Sequence, residues 1–427
     1  MKKTIIFLLC FLLVFSSGCT RVTELDEKSF VTAIGFDKGE NYNLRFTFVF
    51  TNPSKSSDSS NPKEKDETIV IEAPSLYSAI EQINNFKSKS IELTHTQTVV
   101  FSEELAKEGL SEYIYMLVRS SHFRPNTYVC IADSSSMEYL ENVNPSGVYH
   151  LEKFFQLLFN KMTSGTKGDM YLYDSYFRLK CESGAGVLPY CAINKTVPKI
   201  EKTDNKEDEA PSEDMSDKQT IDGEFAENTD DFAINTLAGN SISLSDNTSQ
   251  IQGIAVLKDG YMIGKLGSLE TICLQMITNS MPNSYFTLSN PDFPERMLTC
   301  YITQSSKSKI NVECKNKPIV DIEINLEGDF SEVGYNDEYI ENPEKFEVYF
   351  EIKIKEAMER FLYKITKDFD SDICSFSDAA KSNFLIVGEW ENYNWREKFK
   401  DCEYSVNVNL TMRTYGELSQ KGENKYD

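Results

Sequence analysis

The sequence is poor in the side chains that carry most enzyme chemistry. It has three histidines in 427 residues, and the spacing of His95, His122 and His150 fits no metal-ligand pattern. It contains no G-x-S-x-G, no H-E-x-x-H and no phosphate-binding loop motif. Asp370 and Asp372 stand two residues apart, but the rest of a calcium loop is absent. We therefore predict a protein that is not an enzyme and that uses no metal and no cofactor.

Basic residues are also scarce, with 44 lysines and arginines against 67 acidic residues and a net charge of −23. An acidic chain of this kind is a poor electrostatic partner for nucleic acid, so we expect no nucleic-acid partner. The acidity is concentrated in residues 201–231, which hold thirteen acidic residues against three lysines. This composition predicts that 199–250 is a flexible linker or an exposed insertion.

The ten cysteines include no C-x-x-C pair, which argues against zinc-binding and thioredoxin-like classes. Two of them belong to the N-terminal segment, and the other eight are scattered through the chain. Disulfides are possible outside the cytoplasm, but we expect most of the eight to be buried free thiols. They are Cys130, Cys181, Cys191, Cys273, Cys300, Cys314, Cys374 and Cys402.

Beyond residue 15 no apolar run is long enough to suggest a membrane span. The first residues, by contrast, read as a secretory signal: Lys2 and Lys3 precede the apolar run Ile5–Phe15 and a Ser-Ser-Gly sequence. A cysteine directly after such small residues is what a bacterial lipobox supplies. We therefore predict that residues 1–18 are removed and that Cys19 carries a diacylglyceryl anchor. The alternative is an ordinary secreted protein in which Cys19 is incidental.

The length predicts two or three domains, and the hydrophobic patterns predict an α+β protein built from antiparallel-rich sheets and packed helices. Residues 19–198 form an N-terminal mixed α/β region, and residues 251–427 form a C-terminal α+β domain. Strand pairs are predicted as hairpins over 31–50, 252–264 and 297–314. Helices are predicted over 75–86, 103–119, 134–142, 146–162 and 343–365. Ser268 is predicted to cap another helix, with Glu270 in its first turn.

Several short motifs then occur in a specific order along the chain. They are Cys19, the run RVTELDEKSFVTAIGFD over 21–37, EELAKEG over 103–109, Arg119-x-x-x-Phe123-Arg124, the segment 253–271 with Glu270, and Ser305-Ser306-Lys307. Together they resemble the C subunit of bacterial spore nutrient-germinant receptors, the Ger(x)C family of germination lipoproteins. The resemblance covers nearly the whole chain.

That resemblance implies a three-domain ectodomain tethered to the outer face of the spore inner membrane. It also implies partnership with an A subunit and with a transporter-like B subunit that has the nutrient pocket. The family is not known for catalysis. The match further suggests structural or interface roles for Arg119, Arg124 and Glu270. We expect one of the two arginines to form a bidentate bond to a carboxylate, fixing helix 103–119 against strand 127–132.

Two other functions remain open at this stage. The chain could be a lipid-anchored solute-binding protein that captures a nutrient directly, in which case two similar doubly wound lobes should enclose a ligand cleft. It could also be a purely structural envelope lipoprotein. The antiparallel hairpin that opens each half of the sequence favours the receptor subunit over the solute-binding protein.

Overall fold

The computed structural model describes residues 27–51, 66–143, 151–160, 171–181, 183–194, 237–238, 249–293, 296–332 and 343–414. These residues form two β-sheets covered by helices, which confirms the predicted α+β class. The predicted anchor at Cys19 and the acidic segment 201–231 lie outside the described residues.

The first sheet has nine strands in the order β3-β2-β1-β5-β6-β7-β8-β9, with β4 paired to the start of β1. Strands β1, β5, β6 and β7 run parallel, whereas β2, β3, β8 and β9 join through antiparallel pairs. The strands are β1 Lys28–Lys38, β2 Leu44–Phe50, β3 Glu67–Ala73, β4 Ser90–Glu92, β5 Thr98–Ser102, β6 Tyr128–Ala132, β7 Ala185–Ile193, β8 Ser249–Lys258 and β9 Tyr261–Leu266.

Helices cover both faces of this sheet, because its central strands are apolar on both sides. One face packs against α1 Leu76–Asn84, α2 Glu103–Glu108, α3 Ser111–Arg119 and α6 Leu172–Lys180. The opposite face packs against α4 Ser136–Asn142 and α5 Leu151–Asn160. As the sequence predicts, Ser75 caps α1, and its hydroxyl accepts the backbone N–H of Ser78 at 3.2 Å.

The second sheet has five strands, centred on the long strand β13. The strands are β10 Ser284–Ser289, β11 Met297–Gln304, β12 Lys309–Glu313, β13 Ile319–Glu332 and β14 Glu403–Thr414. The helix α8 Pro343–Tyr363 lays its apolar side on this sheet, as its periodicity predicts. Glu351 and Glu347 of α8 also accept the backbone N–H groups of Leu410 and Met412 in β14, each at 2.7 Å. These carboxylates satisfy donors on the outer edge of the sheet.

The remaining helices join the two sheets into one hydrophobic core. They are α7 Ser268–Ile277, a π-helical turn Lys364–Asp368 that continues α8, α9 Phe376–Lys381, α10 Val387–Tyr393 and α11 Trp395–Lys398. The core packs Val187 and Val256 of the first sheet with Leu269 of α7 and Phe350 of α8. The hairpin β8–β9, which begins the predicted C-terminal domain, is therefore part of the first sheet. The predicted domain boundaries and the count of three domains remain predictions.

Two predicted elements differ from the structure, and a third is described only in part. The helix expected over 103–119 is two helices, because Gly109 adopts a φ of 116° that ends α2. The hairpin expected over 297–314 was wrong, since β11 and β12 do not pair with each other and instead lie end to end along β13. The helix expected over 146–162 is described over Leu151–Asn160, and its expected ends lie outside the described residues.

Candidate functional site

No group of three histidine, cysteine or acidic side chains in the described parts of the chain is arranged to hold a metal ion. His95 packs edge-on against the ring of Phe30, and His122 lies beside Tyr77. His150 lies outside the described residues. None of the helices that the structure describes is long and apolar enough to cross a membrane.

A small polar cleft lies where the first sheet meets the C-terminal helices. Its lining includes Ser183, Lys258, Asp370, Trp395 and Arg396. The ammonium of Lys258 donates to the Asp370 carboxylate at 2.8 Å and to the Asp370 backbone carbonyl at 2.6 Å. The cleft therefore holds an ion pair between the end of β8 and the segment that follows the π-helical turn. The Lys258 ammonium is already paired and is not available to bind a ligand.

Asp372 also lines the cleft and is fully buried at its base. Burial raises the pKa of Asp372, while hydrogen bonds from the backbone N–H groups of Phe376 and Ser377 and from the indole of Trp395 act in the opposite direction. All three donors belong to α9 and α11, so this carboxylate joins the C-terminal helices. Asp370 and Asp372, the pair noted in the sequence, thus make two different structural links.

The carboxyl ends of the parallel strands carry a second charged group of residues. Open α/β sheets usually bind ligands at this edge. Here Glu103, at the start of α2, accepts from Lys265 of β9 at 2.7 Å, from Lys107 at 2.8 Å and from the hydroxyl of Tyr190. Lys265 also donates to the Tyr190 hydroxyl at 2.8 Å. The chain's own side chains therefore occupy this position in the sheet.

The pKa values of this group show that its members depend on one another. Burial acts to raise the pKa of Glu103, but the hydrogen bonds from Lys107, Lys265 and Tyr190 outweigh it and lower the pKa. Burial, followed by the hydrogen bond to Glu103, raises the pKa of Tyr190. Glu103 is therefore an anion held by two cations, and Tyr190 is a neutral donor. We interpret the group as a structural link between α2 and β9.

Arg119 lies at the end of α3, on an exposed surface rich in aromatic rings. Its Nη1 donates to the Tyr115 hydroxyl at 3.0 Å, and its guanidinium lies 5.4 Å from the centre of the Tyr115 ring. Arg124 is exposed in the loop after α3, and its backbone carbonyl accepts the N–H of Thr127 at 3.0 Å. Within the described residues neither guanidinium pairs with a carboxylate, so the expected bidentate bond was wrong there.

The aromatic surface around Arg119 is formed by two neighbouring helices, and we call it the α3–α6 surface. Its members are Tyr115, Arg119, Tyr173, Tyr176, Phe177 and Lys180. The rings of Tyr115 and Tyr176 stack with their centres 6.1 Å apart, and Tyr173 meets Phe177 edge-on at 4.6 Å. Tyr115, Tyr173 and Phe177 remain 42%, 46% and 49% exposed. Exposed aromatic side chains beside arginine are typical of protein interfaces.

The sequence did not reveal the α3–α6 surface, because helix α6 was not predicted and its aromatic residues lie far along the chain from α3. The dense aromatic run over 171–177 was the available signal. Tyr115 and Tyr176 meet only because α3 and α6 pack side by side on the same face of the first sheet.

Glu270 lies in the first turn of α7, as predicted, although the helix begins one residue earlier than expected. Gly267 rather than Ser268 is the N-cap residue, and Glu270 accepts its backbone N–H at 2.8 Å. The other carboxylate oxygen of Glu270 accepts from Lys364 at 2.7 Å. The side chain thus caps α7 and ties it to the end of α8, with no sign of a ligand role.

Comparison with known families identifies the chain. Residues 21–193 match the family of spore germination protein N-terminal domains. Residues 252–416 match the C-terminal domain described as spore germination B3/GerAC-like. The chain belongs to the GerAC family of spore germination proteins. The two matches occur in the family order and cover both folded halves of the GerAC-type chain.

Two known proteins are similar to the chain, one in sequence and one in fold. The chain is 23% identical over 181 residues to spore germination protein YndF of Bacillus subtilis (strain 168), an alignment covering 41% of this chain and 44% of YndF. The chain therefore matches less than half the length of that curated relative. The crystal structure of the GerBC protein has the same fold, with a TM-score of 0.50 and 14% identity over 89% of this chain and 96% of GerBC.

Proposed function

We propose that this GerAC-family chain is the lipid-anchored C subunit of a spore nutrient-germinant receptor. In this role it is a non-catalytic signalling scaffold that is needed for nutrient-triggered germination. Its A and B partner subunits would lie beside it, on or in the spore inner membrane, and its ectodomain would face outward. The lipid at Cys19 would hold it there, because two acyl chains anchor a protein where one barely does.

The observation that carries this proposal beyond family membership is the α3–α6 surface. A scaffold must act through its surfaces, and this one combines exposed rings with two cationic side chains, Arg119 and Lys180. Tyrosine buries a large area at a low cost in conformational entropy, and tyrosine and arginine are enriched among the residues that dominate binding energy. We assign the α3–α6 surface to contact with another subunit of the receptor.

Complementation of a strain that lacks this gene tests the proposal. The double variant Tyr115→Ala/Phe177→Ala should reduce the nutrient response and the amount of A and B subunits that co-purify with the tagged protein. It should leave nutrient-independent germination intact. Tyr285→Ala, which removes an equally exposed ring on β10, is the matched control and should behave as wild type. Equal co-purification of both variants would contradict the assigned surface.

Two further measurements separate this function from the alternatives. Cys19→Ala should abolish lipid labelling and release the protein from membranes prepared without its partners. Calorimetry against a panel of nutrients should show no saturable heat. A micromolar binding heat would favour the solute-binding alternative, and a normal nutrient response in the deletion strain would favour a structural envelope lipoprotein. The described fold lacks the two similar lobes expected of a solute-binding protein, since its sheets have nine and five strands.

A further inference from the structure

Three consecutive large apolar side chains form one short exposed tip, and one of them, Leu385, is the most exposed large apolar residue that the structure describes. Leu385, Ile386 and Val387 are consecutive and are 99%, 63% and 64% exposed. Leu385 and Ile386 precede α10 and Val387 is its first residue. All three lie within the uncharged stretch 382–388 of a chain whose residues are 26% charged. Consecutive exposed apolar residues of this kind mark an interaction site on a soluble surface. We call Leu385–Val387 the apolar tip.

The base of the apolar tip is firmly held, which makes the tip a preformed projection. On one side, the side-chain amide of Asn383 donates to the backbone carbonyl of Val312 at 2.9 Å and of Ala380 at 3.1 Å. On the other side, the backbone N–H of Glu389 donates to the carbonyl of Ile386 at 3.1 Å. Beneath the tip, the ring of Phe384 lies 5.6 Å from that of Trp390.

Contacts of the C-terminal helices place this projection near the end of the first sheet at which the chain enters. The parallel strands of the first sheet begin along one edge, where Lys28 starts β1 and Ala185 starts β7. The β8–β9 turn lies at that edge too, because Lys258 pairs with Ala185. Arg396 of α11 binds Asp259 of this turn at 2.6 Å and 2.8 Å. The seven-residue helix α10 then connects α11 to the tip over about 10 Å.

The chain that follows the predicted lipid anchor at Cys19 leads into β1 at the same edge. Seven residues separate Cys19 from Glu27, the first described residue, and the eight Cα–Cα steps between the two can span at most about 29 Å. Under the proposed function, on which this step rests, that edge faces the bilayer. The apolar tip then lies on the membrane side of the protein.

We propose that the apolar tip inserts into the lipid surface and forms a second membrane contact beside the lipid anchor. Three aliphatic side chains offer much less than the roughly 800 Å² per partner that a stable protein interface buries. A bilayer needs no matching shape and no hydrogen-bond partners, so a small apolar projection suffices there. The anchor would supply a high effective concentration of the tip at the membrane, so that a contact too weak to bind alone becomes occupied.

The two tryptophans of the chain provide a direct test, since both lie within ten residues of Leu385. The lipidated full-length chain would be reconstituted into phosphatidylcholine–phosphatidylglycerol vesicles containing brominated acyl chains, which quench tryptophan close to the hydrocarbon. We expect quenching of the wild type to exceed that of Leu385→Ser/Ile386→Ser/Val387→Ser by about twofold or more, because serine removes the apolar area that drives insertion. Val348→Ser/Ile352→Ser, on the exposed side of α8, is the matched control and should be quenched like the wild type.

The outcomes separate the tip from the anchor. If the vesicles retain both proteins and quench them equally, the apolar tip does not insert into the lipid. That result would contradict the proposal about the tip but not the lipid anchor. Loss of the wild type from the vesicles on washing would contradict the anchor instead. In that case the wild type and the tip variant would be compared at excess lipid without washing, which tests insertion of the tip independently of the anchor. If the tip variant loses a protein partner while its quenching is unchanged, the tip is a protein contact and the proposal is wrong.

Discussion

The buried carboxylate of Asp372 accepts the indole N–H of Trp395, with 3.0 Å between Oδ2 and Nε1. The same carboxylate accepts the backbone N–H groups of Phe376 at 2.9 Å and Ser377 at 2.8 Å. One side chain therefore satisfies three donors while it is itself almost fully buried. An unsatisfied buried donor costs more than an average hydrogen bond contributes, so the residue should matter strongly for stability.

We expect Asp372→Ala to lower the free energy of unfolding by about 3 kcal/mol, because it leaves these donors unpaired. Asp372→Asn keeps one acceptor oxygen and should lose less. Urea unfolding followed by tryptophan fluorescence measures both changes. Asp378→Ala removes an exposed carboxylate from the neighbouring helix α9 and should change stability by about 0.5 kcal/mol or less. A similar effect of the variants at 372 and 378 would contradict the assigned role.

The ion pair between Glu270 and Lys364 can be measured by a double-mutant cycle. The two side chains are partly exposed, so we expect a coupling energy of about 0.5–1 kcal/mol between Glu270→Gln and Lys364→Met. Glu270→Ala should cost about 1 kcal/mol more than Glu270→Gln, because alanine also removes the cap on the Gly267 N–H. Equal stabilities of the two Glu270 variants would show that the cap contributes nothing.

Glu72 should make part of the stability depend on acid pH. Backbone N–H groups of Asn41 and Glu40, helped by Arg45, lower the pKa of Glu72 to about 2. Because the unfolded chain binds this proton near pH 4.5, the stabilisation is present above that pH and is lost as the pH falls toward 2. We expect Glu72→Gln to flatten this part of the stability curve.

Thermal unfolding of the Glu72 variant between pH 2 and pH 5 provides the measurement. Glu81→Gln, on the exposed side of α1, removes the same charge without touching the β1–β2 turn. It should retain the wild-type slope. A parallel loss of slope in both variants would indicate a general charge effect and not the Glu72 contacts.

Gly264 of β9 lies so close to the ring of Phe369 that no side chain fits. A Cβ atom at this position would stand 2.3 Å from Cε1 of Phe369, so Gly264→Ala should destabilise the protein by about 1–3 kcal/mol. Gly388 of α10 has open space around its Cβ position. Gly388→Ala should therefore be neutral or stabilise the protein by up to about 1 kcal/mol. Calorimetric melting of both variants compares them directly, and a neutral Gly264→Ala would show that Phe369 moves aside.

Local sequence patterns predicted the helices and strands in which apolar residues recur at one regular spacing. The helix α8 keeps Phe346, Phe350 and Ile354 on one side. The strand β2 places every second residue from Leu44 to Phe50 in one core cluster. The strand β7 was missed because Pro189 interrupts an otherwise apolar run, and the structure accommodates it at an irregularity in the β7–β8 pairing. Proline removes a ladder donor, so a central strand that contains it does not look like one in the sequence.

The candidate site was less predictable than the fold. The partners of Glu103 lie in three separate elements, and Lys265 is 162 residues away along the chain. Such contacts depend on the strand order β6-β7-β8-β9, which cannot be read from the spacing of apolar residues within one strand or helix. Arg119 was singled out by resemblance, but its partner is the aromatic ring of Tyr115 rather than a carboxylate.

The pairing of β7 with β8 has a consequence for the integrity of the chain. From Ala185 opposite Lys258 to Ile193 opposite Ser249, this ladder joins the segments on either side of the acidic stretch 201–231. A protease that cuts once between residues 195 and 236 would leave two fragments that share one sheet. The protein should therefore survive as a nicked but associated pair, and its two fragments, expressed separately, should reassemble by strand complementation.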